Sequence, residues 1–255
     1  LEWVIRVSNS EVEYYWKNEI IAKIELGIKK TKKSKEDIKI IESILATIVA
    51  VISNRPSFNA EIFALQYGEW SPIFYYSINK LSEKFIKYKK EKLQVLYSEW
   101  KSRFEEVYQI GDVTEELFLK HTYLALMIRL VLFATYFPEE DLKQKSIIEL
   151  TYWLEERGFS LFIYDFFEWA INDIQLLELL YYGMRPRRKE KDDEKSINSR
   201  VFEADDIFRT IYQQMVSPAT RHALGEFYTP PELARMMVEE AYSFGIKTLD
   251  PACGS

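Results

Sequence analysis

The sequence predicts a mainly α protein: a helical N-terminal domain followed by the first strand of a doubly wound α/β domain. Three observations carry this reading. Glycine and proline are scarce, eight of each in 255 residues, which leaves few tight turns for a many-stranded sheet. Apolar residues recur at helical spacing over much of the chain. Near the end, Ile246-Lys247-Thr248-Leu249 reads as a short strand running into Asp250-Pro251-Ala252-Cys253-Gly254-Ser255, the strand-to-glycine-turn entry of such α/β domains.

Residues 11–28 read as a first helix, with Trp16, Ile20 and Ile24 on one stripe. A basic connector, Lys29 to Lys35, leads to Ser34-Lys35-Glu36-Asp37, a capping box with Asp37 in the usual Glu/Gln place. The helix behind it carries Ile38, Ile41, Ile44, Leu45, Ile48, Val49 and Ile52 and ends at Asn54-Arg55-Pro56-Ser57. A short segment, Glu61–Tyr67, precedes a turn at Ser71-Pro72. Helical periodicity resumes over 73–90 and 91–108, where Leu93, Leu96, Trp100, Phe104 and Val107 share a face.

The most apolar element starts at Gly111-Asp112-Val113-Thr114 and runs to Phe137, ahead of Pro138. Lys120, His121 and Arg129 interrupt it. A charge at the bilayer centre costs roughly 2.5–3.5 kcal/mol, so the stretch reads as the central helix of a bundle and no membrane partner is expected. A helix over about 141–156 stops at Gly158. Phe159, Phe162, Tyr164, Phe166, Phe167 and Trp169 then crowd together as buried loop and short helix. Few basic residues lie among them, which argues against a base-stacking platform.

A helix near 172–182 closes at Gly183, and nine consecutive charged residues follow, Arg187 to Lys195. Such a run is a solvated linker. Residues 1–185 are therefore assigned to the helical domain, 186–198 to the linker and 199–255 to the opening of the second domain. Arg185, Arg187, Arg188 and Lys189 are candidates for phosphate contacts, but four negative charges offset the five positive ones in the run. After the linker, 202–216 reads as a helix broken by Ser217-Pro218. A last helix spans Pro231 to Tyr242, with Thr229 as N-cap, Pro230 at the first helical position, Glu232 completing Thr-x-x-Glu and Gly245 as terminator.

Charge and composition narrow the function. Lys+Arg is 34 and Asp+Glu is 40, a net charge of −6, so any nucleic-acid contact is local and not spread over the whole face. Cys253 is the single cysteine, and the two histidines are His121 and His222. No internal disulfide can form, and a His/Cys zinc site has too few ligands. No basic region followed by an apolar run opens the chain, so a cytoplasmic location is expected. The chain begins at Leu1 and stops within a loop, and it reads as a piece of a longer protein.

Asp250 closes the predicted strand, where α/β folds bind ligands. An acid there accepts a hydrogen bond from a ligand ammonium and repels a phosphate. Asp-Pro-x-x-Gly thus favours an amino-acid-bearing nucleoside over a dinucleotide, although a structural turn could carry the same residues. Gly225-Glu226-Phe227-Tyr228-Thr229-Pro230 lies one amphipathic helix upstream. The pair, in this order and spacing, resembles the N6-adenine-specific DNA methyltransferases of restriction–modification and phage-defence systems, of the large single-chain or modification-subunit type. Phe118-Leu119-Lys120-His121-Thr122-Tyr123-Leu124 and Asp165-Phe166-Phe167-Glu168-Trp169 resemble, less specifically, the helical region upstream of the methylase core.

The resemblance implies a Rossmann-like S-adenosyl-L-methionine domain. It implies cofactor contacts from Glu226, Phe227, Tyr228, Thr229 and Pro230 on one side and from Asp250, Ala252, Cys253, Gly254 and Ser255 on the other. Thr229 would lie near the methionine moiety, and Asp250 and the turn would face the methionine amine and the nucleoside. It also implies double-stranded DNA as partner, with a restriction nuclease or specificity component beside it. The second loop glycine, the ribose-binding acid and the Asn/Asp-Pro-Pro-Tyr/Phe base pocket of the family do not occur here, so no catalytic residue is assigned and the chain by itself is expected to be inert.

The chemistry explains what that pocket does. The adenine N6 lone pair is delocalised, so the base is flipped out and its amine is held by acceptors in line with the sulfonium. No cysteine nucleophile is needed, and Cys253 reads as a small turn residue. His121 reads as a hydrogen-bonded core histidine and His222 as a surface or capping residue. No nuclease residue is assigned: Glu19-Ile20-Ile21-Ala22-Lys23 lacks the spacing, and Asp37-Ile38-Lys39 falls on a helix. The rival reading is a non-catalytic helical connector that joins a methylase to a nuclease or translocase.

Overall fold

The computed structural model describes residues 3–8, 11–25, 38–39, 41–43, 45, 60–108, 113–136, 151–156, 158, 166–171, 173–182, 184, 207–216, 221–222 and 229–247. Helices dominate these residues, as the periodicity requires. The N-terminus departs from expectation. Instead of a helix over 11–28, the chain forms a three-stranded antiparallel meander: β1 (Trp3–Val7), β2 (Glu11–Trp16) and β3 (Glu19–Glu25). Lys17 and Asn18 both take positive φ, 45° and 73°. They form a two-residue turn that pairs Trp16 with Glu19, a geometry matched to the twist of the flanking strands. The i, i+4, i+8 stripe of Trp16, Ile20 and Ile24 is thus split between two strands.

The β1–β2 register runs from Trp3 opposite Trp16 to Val7 opposite Val12. A register shift between Tyr14 and Tyr15 offsets β2 against β3. The meander is fastened to the helices by polar contacts. Tyr76 donates a hydrogen bond of 2.7 Å to Glu19, and Lys17 reaches Glu178 at 2.6 Å.

Residues 38–39, 41–43 and 45 are helical. The helical body that follows comprises α1 (Ala60–Tyr67), α2 (Pro72–Tyr88), α3 (Gln94–Tyr108), α4 (Glu115–Tyr136) and α5 (Ile174–Tyr182). The expected turn at Ser71-Pro72 is the N-cap of α2. Ser71 Oγ accepts from the amides of Ile73 at 3.1 Å and Phe74 at 3.3 Å, and Pro72 fills the first helical position. Between α2 and α3 the chain winds into a π turn, Lys89–Leu93. Thr114 Oγ1 accepts from the Leu117 amide at 3.2 Å, and Glu115 and Glu116 complement the positive end of α4.

The apolar helix α4 is the centre of the body. It lies against α2, α3 and α5, and 67% of its most apolar window is buried within the protein. Phe118 is fully buried, ringed by Phe85, Tyr97, Trp100, Phe167 and Trp169 at centroid distances of 5.0–6.2 Å. Phe167 and Trp169 therefore serve the core, the latter from a short 3-10 turn over Glu168–Ala170. Phe159, Phe162 and Tyr164 lie outside the described residues. Two buried hydroxyls on α4 are satisfied by main chain: Tyr123 donates to the Tyr67 carbonyl at 2.7 Å, and Thr122 to Phe118 at 2.8 Å. Burial lowers the pKa of Arg129 to about 10, opposed by Glu168.

The stretch 151–156 is helical, and Gly158 follows with φ 89°, a conformation that favours glycine. The charged linker at 186–198 lies outside the described residues. Beyond it, α6 (Ile207–Met215) packs along α1 and against α4. Ile211, Met215 and Val216 are buried in the same core as α2 and α4. The last helix is α7 (Pro231–Ala241). The strand expected at 246–249 is not formed over its described half: Ile246 and Lys247 belong to no helix or strand after a turn at Gly245, and Thr248 and Leu249 lie outside the described residues.

Candidate functional site

The candidate segment begins at the C-terminal end of α6. Lys120 on α4 donates to the Met215 carbonyl at 2.9 Å. Arg221 donates through Nε to the Val216 carbonyl at 3.2 Å. These two cations meet carbonyls that a helix end leaves unpaired, and they anchor the chain where it leaves the helical body. His222, next to Arg221, is exposed.

Glu226, Phe227 and Tyr228 lie outside the described residues, as do Asp250, Ala252, Cys253, Gly254 and Ser255. The structure describes Thr229 and Pro230, both exposed, immediately ahead of α7. The N-cap of α7 is Pro230 and not Thr229, a shift of one residue from the expected Thr-x-x-Glu box. Pro231, which has no amide hydrogen to leave unsatisfied, takes the first helical position. The Pro230 carbonyl then accepts from Ala234 at 2.9 Å. No side chain caps the helix, so the Thr229 hydroxyl is not consumed by capping. Glu232 remains in the first turn, where it favours the positive end of the helix dipole.

On α7, Leu233, Ala234, Met237, Val238 and Ala241 share one side at helical spacing. Leu233, Met237 and Val238 are 48%, 58% and 59% exposed, so the apolar side of this amphipathic helix is open. Tyr242 closes the helix by donating its amide to Val238 at 2.8 Å, and Ile246 donates to Ser243 at 3.2 Å across the positive-φ Gly245.

His121 corrects an expectation. It lies in the core as read, with rings of Trp100, Phe104 and Tyr212 at 5.4–6.0 Å. Its Nε2 is buried without a hydrogen-bond partner among the described residues. Burial lowers its pKa to about 4, so near neutral pH it is an uncharged packing group.

A second feature is plain in the spacing of the sequence. Lys80, Lys84 and Lys87 recur at i, i+4 and i+7 along α2, and Lys89 and Lys92 follow in the π turn. Burial pushes the Lys84 ammonium down from its ordinary value, while Asp173 opposes the shift. Among the described residues, no three His, Cys, Asp or Glu side chains converge as a metal site. No family model matches the chain, and no curated protein or solved structure matches it either.

Proposed function

We propose that the protein is an S-adenosyl-L-methionine-dependent methyltransferase acting on adenine N6 in double-stranded DNA, within a restriction–modification or phage-defence system. One observation carries the reading: Gly225-Glu226-Phe227-Tyr228-Thr229-Pro230 and Asp250-Pro251-Ala252-Cys253-Gly254 flank a single amphipathic helix. Two features of that helix support it. The open apolar side of α7 is suited to packing on the sheet of an α/β domain. The exposed Thr229 hydroxyl, free of capping duty, fits the carboxylate of an amino-acid-bearing ligand.

S-Adenosyl-L-methionine supplies an electrophilic methyl group when bound. The chain's own residues bind and orient it. The Asp250 carboxylate accepts from the ligand ammonium, and Thr229 donates to its carboxylate. The backbone amides of 252–255 approach the nucleoside because Gly254 lacks a Cβ. Glu226, Phe227, Tyr228 and Pro230 complete the near wall.

Calorimetric titration of S-adenosyl-L-methionine into the intact protein tests the assignment. Asp250→Ala is expected to weaken binding by about 1.5–3 kcal/mol, the range for a hydrogen bond to a charged group, and Thr229→Val by about 0.5–1.5 kcal/mol. Unchanged affinity in Asp250→Ala would make the turn structural and remove the assignment.

The burial of α6 in the helical core favours a second role alongside the first, that of a connector. The segment carrying Thr229 starts from residues 215–216, which Lys120 and Arg221 grip. A nuclease or specificity component that engages the helical body would thereby act on the cofactor segment through α6. Cofactor affinity that is unaltered when the Lys120 and Arg221 contacts are both removed would count against this role.

A further inference from the structure

We propose that the lysine stripe of α2, continued by Lys92 in the π turn, is a phosphate-backbone contact for duplex DNA. The choice of duplex DNA as partner rests on the methyltransferase reading; the surface itself does not.

Between positions 80 and 92 stand six lysines and two glutamates, in a chain whose net charge is −6. Lys80, Lys84 and Lys87 occupy one face of α2 because residues three and four apart are neighbours on a helix. They span about 10 Å of helix axis at 1.5 Å per residue. Duplex DNA presents one charge per about 1.7 Å of its axis, so roughly six phosphates lie within that span. The π turn Lys89–Leu93 adds Lys92 beyond the end of the stripe, and irregular helical turns of this kind recur at functional sites.

Three of these lysines also lack a carboxylate beside them among the described residues. Lys17, Lys23, Lys101 and Lys120 each lie within 4 Å of a carboxylate. Within the stripe, Lys80 is paired with Glu19 at 3.7 Å, and Lys89 closely with Glu115. Lys84, Lys87 and Lys92 have no such partner among the described residues. The acid that faces Lys84 is Asp173, and its carboxylate already accepts from the Leu176 amide at 3.1 Å. A half-buried ammonium without a paired carboxylate gains from an incoming anion. The Lys80 and Lys87 ammoniums sit 5.4 and 5.1 Å from the rings of Tyr76 and Tyr88, so aromatic faces line the stripe without neutralising it.

An anionic membrane would also attract lysines, but stable anchoring there takes an apolar face beside the charge. The apolar side of α2, with Phe74, Leu81 and Phe85, is buried in the core. What α2 leaves exposed is mostly charge with scattered single side chains such as Ile86 and Tyr88, which suits a phosphate backbone better than insertion.

The test is fluorescence anisotropy of the intact protein with a labelled duplex of about 20 base pairs over a salt series from about 50 to 200 mM. Lys84→Gln/Lys87→Gln/Lys92→Gln is compared with the isocharged control Lys17→Gln/Lys23→Gln/Lys101→Gln. Three lost phosphate contacts should reduce the slope of log affinity against log salt by about 2.7. The advantage of the unmodified protein over the stripe variant should then shrink by about 40-fold across the series. The control should keep the original slope. Lys87→Gln/Lys92→Gln, at two exposed positions, should reduce the slope by about 1.8 and serves if the triple variant melts early. An unchanged slope in the stripe variants, an equal fall in the control, or binding to phosphatidylserine vesicles in place of the duplex would each overturn the inference. Cofactor titration separates the two readings: normal S-adenosyl-L-methionine binding with no stripe-dependent slope removes this inference alone.

Discussion

The Lys120 ammonium lies 2.9 Å from the Met215 carbonyl oxygen, so a cation on the central helix closes the C-terminal end of α6. Its side chain is only 16% exposed, and the same ammonium reaches Glu116 at 3.0 Å and Glu69 at 3.4 Å. One residue thus links the turn after α1 with α4 and α6, and it explains why a charge is tolerated in the apolar stretch 117–137.

Removing that ammonium should loosen α6 and the segment behind it. Lys120→Met keeps the aliphatic stem and loses the charged hydrogen bonds, a cost of about 1.5–3 kcal/mol. Urea unfolding should give a lower midpoint with an unchanged slope, and amide exchange should rise over 207–216. An unchanged midpoint would mean that packing of Ile211 and Met215 alone holds the helix.

His121 predicts a pH dependence. Its folded pKa, lowered to about 4 by burial, lies below the ordinary value of about 6.5. Between those values the unfolded chain binds more protons at this site than the folded one. Stability therefore falls as pH drops from about 6.5 towards 4, by about 3 kcal/mol in all. His121→Phe removes the proton site and keeps a ring among Trp100, Phe104 and Tyr212. Its unfolding free energy should be flatter across that pH window. A variant with the parental slope would place the titration elsewhere.

Gly68 sits where α1 meets α6. A Cβ there would collide with the Gln214 side chain and with the Ala64 carbonyl. The glutamine can swing away, but the carbonyl belongs to the backbone of α1. Gly68→Ala should cost about 1–3 kcal/mol, the range for overpacking. Gly68→Ala combined with Gln214→Ala should recover only the side-chain part of that cost, as measured by thermal unfolding.

The helical body was legible because its faces repeat: Leu93 at the end of the π turn and Trp100 and Phe104 on α3 are buried as their spacing requires, whereas Val107, expected on the same face, is 72% exposed. The π turn was not legible, since Lys-Lys-Glu-Lys-Leu has the composition of any exposed helix. At α7 two adjacent prolines compete for the first helical position, and the structure gives it to Pro231, which displaces the expected cap by one. The lysine stripe was readable by spacing, but only the structure shows which lysines have carboxylates beside them. The motif residues around Asp250 were legible by pattern alone. The meander was hidden because Trp16, Ile20 and Ile24 imitate a helical stripe, and because Lys17-Asn18 makes its turn without a glycine.

That turn yields the last prediction. Both residues hold positive φ, a conformation that costs a non-glycine residue about 1–2 kcal/mol, with asparagine among the most tolerant. Asn18→Val should therefore destabilise the meander by about 1–2 kcal/mol. Asn18→Gly should leave it unchanged or more stable by a few tenths, about 0.5 kcal/mol. Lys17 sets two effects against each other. Its ion pair with Glu178 is short at 2.6 Å, but the side chains are 47% and 35% exposed, and such pairs contribute about 0–1 kcal/mol. Relief of the left-handed strain at φ 45° is of the same size or larger. Lys17→Gly should then be neutral to stabilising, whereas Lys17→Ala keeps the strain, loses the pair and should destabilise. Urea midpoints of the four variants check the ordering. A Lys17→Gly protein less stable than Lys17→Ala would show that the backbone at position 17 is not strained and that another contact fixes the turn.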